Sequence, residues 1–390
     1  MRRQSDDTLG TPRRRFRLFT VCLATIFTFG AAEIATRILL RTRLSPEEIY
    51  ARTHHTSARG RFAPHAFIPY VLNPGYQDTN SLGFRGPEFA IEREPGVARV
   101  VCLGASTTYG LYVGTDQAYP ARLEKLLTFE GIPCQVINAG VPGYISIDLL
   151  LTLQFRVLPL EPDVVIVYEG RNELFPQSFN NFLPDYSHFR KADYSIRSTN
   201  YLNKYLFGLS HLYFVLATYH GDRFGFDSRE ENPAYGQIRY ENQPTSEELI
   251  ANLNDCRRSE TYRNTLRSIA AICKVHSIKL VLGTMAFQVE RLATGVLVDD
   301  PAIHPALEHQ LEQNNQIVRE IAREQGATLV ETEVLVKEPW LFHDDCHLNK
   351  EGHARRAELL LPAIAELATK SWSAHDGVPI GNGRKRFEAP

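Results

Sequence analysis

Five short apolar segments recur between residues 97 and 330, and longer stretches with helical spacing separate them. The segments are residues 100–103, 135–137, 164–168, 280–282 and 328–330. The third is apolar throughout, as a parallel strand covered on both faces should be. Strands that alternate with helices form a parallel sheet with helices on both sides. The pattern therefore predicts a doubly wound α/β domain.

The stretches between these segments carry helix signals. Helical spacing covers residues 120–129, 149–160, 245–278, 305–325 and 351–370. Ser146 is expected to cap the second helix. Thr245 and Glu248 have the spacing of a capping box, and Asn349 is expected to cap the last helix.

The alternation is interrupted by residues 175–244, which are rich in aromatic side chains and contain no clear strand. A stretch of this length inside a compact domain is usually a functional insertion. We expect the aromatic residues to form extra core and to cover one face of the sheet. A lipid-binding surface is the alternative interpretation.

Charge is spread unevenly along the 390 residues. The formal net charge is −2, whereas a nucleic-acid-binding domain usually has a strongly basic surface. We therefore expect no nucleic-acid partner. The first 17 residues hold six arginines and two aspartates, so the rest of the chain is net acidic.

An apolar segment follows these arginines directly. Residues 18–32 are uncharged, and the apolar character continues to Leu40, interrupted by Glu33 and Arg37. The whole segment is long enough to span a bilayer. Arginines before it favour a cytoplasmic N-terminus and export of the rest of the chain. A cleaved signal peptide and a buried core helix are the alternatives.

Polar residues follow four of the predicted strands. The segments are Gly104-Ala105-Ser106-Thr107, Asn138-Ala139-Gly140-Val141-Pro142-Gly143, Gly170-Arg171-Asn172-Glu173 and, after a loop, Asp344-Asp345-Cys346-His347. Ligands of doubly wound sheets bind at the carboxyl ends of the strands. These segments are therefore expected to meet at one edge of the sheet.

Together the four segments contain the groups that acyl transfer requires. Ser106 is the candidate nucleophile and His347 the candidate base that takes its proton. Asp344, three residues before His347, is expected to orient the imidazole. The backbone N–H groups of Ser106 and Gly143 and the side-chain amide of Asn172 are the candidate donors to an oxyanion.

In their order and content these segments resemble the sequence blocks of the SGNH (GDSL-type) hydrolases, over roughly residues 97–370 without the insertion. The resemblance implies a flavodoxin-like three-layer α/β/α sandwich and ester hydrolysis. It places the nucleophile at Ser106, the glycine block at Gly143, the asparagine block at Asn172 and the D-x-x-H block at Asp344 and His347.

The upstream residues 80–87 also resemble the lead-in of membrane-anchored or exported bacterial members. Two residues depart from the family pattern. Ala105 replaces the usual aspartate before the serine, and Glu173 replaces the usual aspartate after the asparagine. Neither change removes a catalytic group, but both leave the subfamily and the substrate open.

The same residues allow other interpretations. His353 is expected to be packed or on the surface rather than to act as the base. His343, Asp345, Cys346 and their neighbours could form a metal cluster, but no metal is needed to explain them. An α/β-hydrolase has the same Ser…Asp…His order, but Thr108 stands where its nucleophile elbow requires glycine.

We therefore expect a serine esterase without cofactor or metal, facing the periplasm or the cell exterior, that acts on an acylated carbohydrate, lipid or small ester. An O-acyltransferase of cell-envelope polysaccharide and a non-catalytic glycan-binding or assembly protein remain the alternatives. The expected organisation is a basic cytoplasmic segment 1–17, an anchor 18–40, a lead-in 41–96, a hydrolase domain 97–370 with insertion 175–244, and a disordered tail 371–390.

Overall fold

A computed structural model describes residues 12–43, 61–63, 65, 67–189, 210–213, 216, 244–292 and 300–375 of the chain. Contacts divide the chain into two compact units. One contains residues 1–59 and 193–230, and the other contains residues 60–192 and 231–390.

The first unit is built on helix α1, Pro12–Arg43. Its segment Phe19–Leu39 has a mean hydropathy of 1.6 and is long and apolar enough to cross a membrane. Glu33 interrupts this segment. Its carboxylate accepts hydrogen bonds from the backbone N–H groups of His211, at 2.9 Å, and Leu212, at 2.8 Å. These bonds explain how an acidic side chain is accommodated in the apolar helix.

The second unit contains the predicted parallel sheet. A two-stranded antiparallel pair comes first, β1 (Phe62–Ala63) and β2 (Val71–Leu72). The parallel strands are β3 (Ala98–Gly104), β4 (Cys134–Gly140), β5 (Val164–Tyr168), β6 (Lys279–Gly283) and β7 (Thr328–Val330). They are arranged in the order β4-β3-β5-β6-β7, which is the flavodoxin-like order. The predicted fold class is confirmed.

Alternate residues of each strand face opposite sides of the sheet, as the pleat requires. On one side Val101 and Leu103 pack with the helices after β4 and around β6. On the other side Val100 and Cys102 pack with the helix that precedes β4 and the last helix of the domain. Both faces are therefore buried, which is why these strands are continuous apolar runs.

Eight helices of this unit lie in the described residues. They are α2 (Ser106–Tyr109), α3 (Tyr119–Phe129), α4 (Ser146–Thr152), α5 (Leu174–Ser178), α6 (Ser246–Leu253), α7 (Glu260–Val275), α8 (His304–Gln325) and α9 (Lys350–His375). Asn349 caps α9 as expected, because its side-chain oxygen accepts a 2.9 Å bond from the N–H of Gly352.

The predicted helix 149–160 is not one regular α-helix. After α4 the chain continues as a π-helix, Leu153–Val157, and then as a short 3₁₀ turn. Ser146 is the first helical residue and not the cap, which is Ile145. The N–H of Ser146 donates instead to the carboxylate of Glu173, at 2.6 Å. A tertiary partner therefore replaces the local capping bond that we predicted.

The predicted helix 245–278 is likewise divided. The capping box is confirmed, because Thr245 and Glu248 exchange backbone-to-side-chain bonds of 2.8 and 3.3 Å. Helix α6 ends at Leu253, and a 3₁₀ turn precedes α7. The side chain of Asp255 caps that turn by accepting from the N–H of Arg257, and such caps favour helix breaks.

Only part of the predicted insertion lies within the described residues. Phe175, Phe179, Tyr186 and Phe189 form a small core with Ile145. The four described aromatic side chains therefore provide extra core beside the sheet. Most of the segment between residues 190 and 243, and the tail beyond His375, lie outside the described residues.

Candidate active site

The one-turn helix α2 places Ser106 at the carboxyl end of the central strand β3. Two glycines let this helix approach the sheet closely. A Cβ on Gly104 would lie 2.1 Å from the hydroxyl of Thr108, and one on Gly140 would lie 2.2 Å from the backbone nitrogen of Tyr109. Any larger residue would displace α2, so both positions require glycine.

The predicted nucleophile, base and carboxylate lie in one line of hydrogen bonds. Ser106 Oγ is 2.7 Å from Nε2 of His347, and Nδ1 of His347 is 2.7 Å from Oδ2 of Asp344. With the proton on Nδ1, the ring donates to the carboxylate and leaves Nε2 as the acceptor for the serine hydroxyl. Residues 241 positions apart in the sequence are thus in direct contact.

Asp344 is held in its role by several bonds. Its Oδ1 also accepts from the backbone N–H groups of His347, at 2.8 Å, and Cys346, at 3.1 Å. Burial would raise the pKa of this carboxyl, but the His347 side chain and these N–H groups outweigh burial and lower the pKa to about 2. Asp344 is therefore a carboxylate at neutral pH.

A buried ion pair fixes the loop that carries Asp344 and His347. Arg171 donates from Nε and Nη2 to one oxygen of Asp345, at 2.8 and 2.6 Å, and both side chains are almost completely buried. Arg171 follows strand β5, so the pair joins two of the predicted segments directly. The loop also closes on itself, because the N–H of His343 donates to the carbonyl of His347 at 2.7 Å.

Of the predicted oxyanion donors, Ser106 begins α2, whereas Gly143 and Asn172 lie on the loops after the two strands that flank β3. Gly104 of β3 pairs with Gly140 of β4 and with Tyr168 of β5, so the three strands end at the same level. Gly143 has a φ of +81°, which glycine adopts without strain. The side-chain amide of Asn172 donates to the carbonyl of Tyr144, at 2.8 Å, and thereby ties the two flanking loops together.

Two buried glutamates stabilise the loops beside the site, Glu169 at Asn172 itself and Glu173 at Ser146, and the sequence did not indicate their role. Oε1 of Glu169 accepts from the backbone N–H of Asn172, at 2.7 Å. Glu173 accepts from the N–H of Ser146, at 2.6 Å, and from the hydroxyl of Tyr186, at 2.8 Å. Burial raises the pKa of Glu169 to about 8 and that of Glu173 to about 7. Glu173, one of the two departures from the family pattern, joins the loop after β4 to the insertion.

Arg85, in the predicted lead-in, binds the other end of α2. Its guanidinium donates to the carbonyls of Tyr109, Gly110 and Val113, the last two at 2.7 Å. Nε forms an ion pair with Asp78 at 2.7 Å, and the side chain is 4% exposed. One side chain thus satisfies carbonyls at and beyond the end of the helix that begins at Ser106. The sequence did not indicate this role, because the carbonyls that Arg85 binds lie 24 or more positions away.

The possible metal cluster is accounted for by bonds within the chain. Asp344, Asp345, Cys346 and His347 place their ligand atoms within 4.8 Å of one another. However, Asp345 binds Arg171, and Asp344 binds the His347 ring.

His353 lies in the core of the second unit. It is 1% exposed, and its Nδ1 accepts from the backbone N–H of Tyr119 at 3.2 Å. Burial and the surrounding cations lower its pKa well below the ordinary value. A neutral histidine whose Nδ1 is already an acceptor for α3 is a packing residue, as we expected.

Part of the sequence matches a known protein family. Residues 102–197 match the sequence profile described as the GDSL-like Lipase/Acylhydrolase family. The matched stretch includes Ser106, Gly143 and Asn172 and ends before Asp344. No curated protein matches the sequence significantly.

Several solved structures are similar to this chain. An acetyl xylan esterase is 16% identical with a TM-score of 0.40, and the match covers 68% of this chain and 99% of that one. A lipase/acylhydrolase from Enterococcus faecalis is 14% identical with a TM-score of 0.40, covering 69% and 96%. An acetylxylan esterase from Geobacillus stearothermophilus is 17% identical with a TM-score of 0.38, covering 70% and 95%. The matched profile shows that this chain contains a GDSL-like lipase/acylhydrolase domain, which is the domain of an ester-bond hydrolase.

Proposed function

We propose that this hydrolase is a serine esterase in which Ser106 is the nucleophile, His347 the general acid and base, and Asp344 the group that orients His347. The observation that carries the proposal is the line of two 2.7 Å hydrogen bonds from Ser106 Oγ through the imidazole to Asp344. A serine hydroxyl is a weak nucleophile until an adjacent base takes its proton, and this geometry supplies that base.

The reaction has two steps. Ser106 Oγ attacks the ester carbonyl carbon while its proton passes to Nε2 of His347. The tetrahedral intermediate then collapses, and Nε2 returns the proton to the departing alcohol, which leaves an acyl-enzyme on Ser106. In the second step His347 takes a proton from water, the hydroxide oxygen attacks the acyl carbon, and the carboxylic acid leaves as Ser106 regains its proton.

The negative oxygen of each intermediate is stabilised by three donors. They are the backbone N–H groups of Ser106 and Gly143 and the side-chain amide of Asn172. An asparagine amide has two N–H bonds, and one of them donates to the carbonyl of Tyr144. The second is the proposed donor to the oxyanion, and a donor held in advance in this way typically contributes ~10²–10³ in turnover.

The chain is proposed to be anchored by residues 18–40, with residues 1–17 in the cytoplasm and the hydrolase domain, residues 97–370, in the periplasm or outside the cell. Support comes from the length and hydropathy of Phe19–Leu39 and from the arginines that precede it. Cleavage of the segment as a signal peptide is the alternative. Extraction of membranes at alkaline pH separates them, since only an uncleaved anchor keeps the full-length chain in the membrane fraction.

Ester hydrolysis by the full chain in detergent tests the proposed chemistry. We expect release of acetate from small acetyl esters, and a loss of about 10³-fold or more in Ser106→Ala. Ser268→Ala is the matched control, because Ser268 is an exposed serine on α7. Equal rates in wild type and Ser106→Ala would rule out Ser106 as the nucleophile.

The same acyl-enzyme could transfer its acyl group to a sugar hydroxyl in place of water. Product analysis with an added sugar acceptor distinguishes the two outcomes. Free acid as the dominant product supports hydrolysis, and a dominant acylated sugar identifies an O-acyltransferase that uses the same three residues. A folded chain that forms neither product would favour the non-catalytic binding protein.

A further inference from the structure

Tyr112 lies in the loop after α2 in an unusual backbone conformation. Its φ is +72°, a region that bulky residues rarely occupy and that is found mainly at functional sites. The neighbours hold it there: the N–H of Leu111 donates to the carbonyl of Ser106 at 3.1 Å, and the N–H of Val113 donates to the carbonyl of Gly110 at 3.2 Å. The loop thus fixes where the Tyr112 ring lies.

The ring of Tyr112 contacts two histidines of the loop after β7. Its centroid is 4.1 Å from that of His343, with the planes tilted by 36°, and 5.5 Å from that of His347, with the planes at 87°. Despite these contacts, 60% of Tyr112 is exposed, and His343 is exposed as well. An open aromatic surface therefore lies directly beside the imidazole of His347.

The chemistry of the reaction decides which part of an ester would meet this surface. His347 Nε2 must deliver its proton to the oxygen of the departing alcohol, so that oxygen has to lie within hydrogen-bond distance of the imidazole. The proposed donors to the carbonyl oxygen, Gly143 and Asn172, lie on the loops after β4 and β5, whereas Tyr112 contacts the loop after β7. The alcohol portion of the ester is thus the portion beside Tyr112.

We propose that Tyr112, supported by His343, is a stacking surface for a sugar ring, so that the substrates are acyl esters of sugar hydroxyls. This inference depends on the proposed function of Ser106 and His347. The face of an aromatic ring is electron-rich and attracts the polarised C–H groups of a pyranose ring. Because the surface is open, it can accept a large hydrated alcohol that continues into solvent.

Two acetyl esters test this proposal, a mono-acetylated methyl glucoside and ethyl acetate. The readout is kcat/KM for the sugar ester divided by kcat/KM for ethyl acetate. A change in the chemical steps that both esters share cancels in this ratio. In Tyr112→Asn we expect the ratio to fall about fivefold to tenfold, the size of one aromatic contact, mainly through KM for the sugar ester. Asparagine tolerates the left-handed backbone but has no ring.

Two control variants define what the ring contributes. Tyr112→Phe keeps the ring and is expected to keep the ratio. Phe129→Asn removes an aromatic side chain that is 87% exposed at the end of α3, before β4 begins at the opposite edge of the sheet. It is expected to leave the ratio unchanged.

The remaining outcomes contradict the proposal. Equal losses on both esters in Tyr112→Asn would mean that the ring only packs against His347, and no change on either ester would mean that the ring is not used. A selective loss on esters with long acyl chains would place the acyl group beside Tyr112.

A binding measurement needs no turnover. Unacetylated methyl glucoside should slow fluorophosphonate labelling of Ser106 in the wild type and Tyr112→Phe but not in Tyr112→Asn. Labelling that the sugar never slows would refute the proposal about Tyr112, whereas a wild type that is never labelled at Ser106 would refute the proposed function itself.

Discussion

Asp344 combines two structural tasks in one carboxylate. It accepts from Nδ1 of His347 and from the backbone N–H groups of Cys346 and His347. The backbone bonds fix the carboxylate, and the carboxylate fixes which imidazole nitrogen carries the proton. The D-x-x-H spacing therefore does more than bring two side chains together, because it also builds the turn that holds them.

Asp344→Asn tests this orientation at the scale of one residue. The amide keeps the size of the carboxylate, but it cannot both accept from Nδ1 and accept from the two backbone N–H groups. We expect turnover of an acetyl ester to fall about 10³–10⁴-fold, because the imidazole then adopts the wrong tautomer. The measurement is kcat for hydrolysis, alongside circular dichroism to establish the fold.

Asp116→Asn is a control for the loss of one carboxylate, because Asp116 lies in a short 3₁₀ turn before α3. It should leave turnover within about twofold, as surface substitutions usually do. If Asp344→Asn retained wild-type turnover with an intact fold, Asp344 would not be the orienting group.

At the scale of one element, α2 is too short to be stable without tertiary support. A single helical turn does not persist alone in water, because nucleation costs more than one turn returns. The support comes from the sheet below, through Gly104 and Gly140, and from Arg85 at the C-terminal end. The position of Ser106 thus depends on a residue of the lead-in.

Arg85→Ala is expected to lower the free energy of unfolding by about 3 kcal/mol, because it removes a buried guanidinium that binds three carbonyls and forms the ion pair with Asp78. Arg257→Ala is the matched control, since Arg257 also pairs with an aspartate, Asp255, but is 86% exposed. Its cost should be below about 1 kcal/mol. Urea denaturation measures both, and equal costs would contradict the assignment of Arg85 as a clamp.

The elements themselves were largely predictable, and the reason is burial on both faces. Strands β5 and β7 match their predicted bounds, and β5 does so because a strand buried along its whole length is a continuous apolar run. Helix α4 was predicted less well, since the bond from the Ser146 N–H to Glu173 is a tertiary contact. No local pattern at Ser146 could reveal a partner 27 residues away.

The residues of the site likewise divide into those that the sequence pattern indicates and those that depend on tertiary contacts. Ser106, Asn172, Asp344 and His347 could be placed at one edge of the sheet, because the carboxyl ends of parallel strands meet there. The parts played by Arg85 and Tyr112 could not be predicted. Arg85 binds carbonyls of a loop distant in the sequence, and the position of the Tyr112 ring depends on the left-handed backbone conformation of that residue. Neither property can be inferred from residue type or spacing.

For the whole molecule, the buried glutamates make stability depend on pH. Burial raises the pKa of Glu173 from its ordinary 4.5 to about 7. Between these pH values the folded state holds a proton on Glu173 that the unfolded state has lost. The contribution of Glu173 to stability is therefore complete below about pH 4.5 and is lost as the pH rises towards 7. Glu169, raised to about 8, acts in the same direction.

Glu173→Gln should flatten this dependence. A neutral amide keeps an oxygen for the Ser146 N–H and has no charge to bury, so the fall in stability should shrink by about 3 kcal/mol or less. Thermal denaturation at pH 5.5 and at pH 8 measures the slope. Glu130→Gln, at an exposed glutamate, should leave it unchanged, and a wild type equally stable at both pH values would contradict the argument.

The central claim is that His347 activates Ser106, and covalent labelling tests it most directly. The full chain in detergent is treated with a fluorophosphonate, and peptide mass spectrometry locates the added mass, with Ser106→Ala and His347→Ala treated in parallel. We predict labelling of the wild type at Ser106 alone and none in either variant. A folded wild type that stays unlabelled, or that is labelled at another serine, would contradict the account.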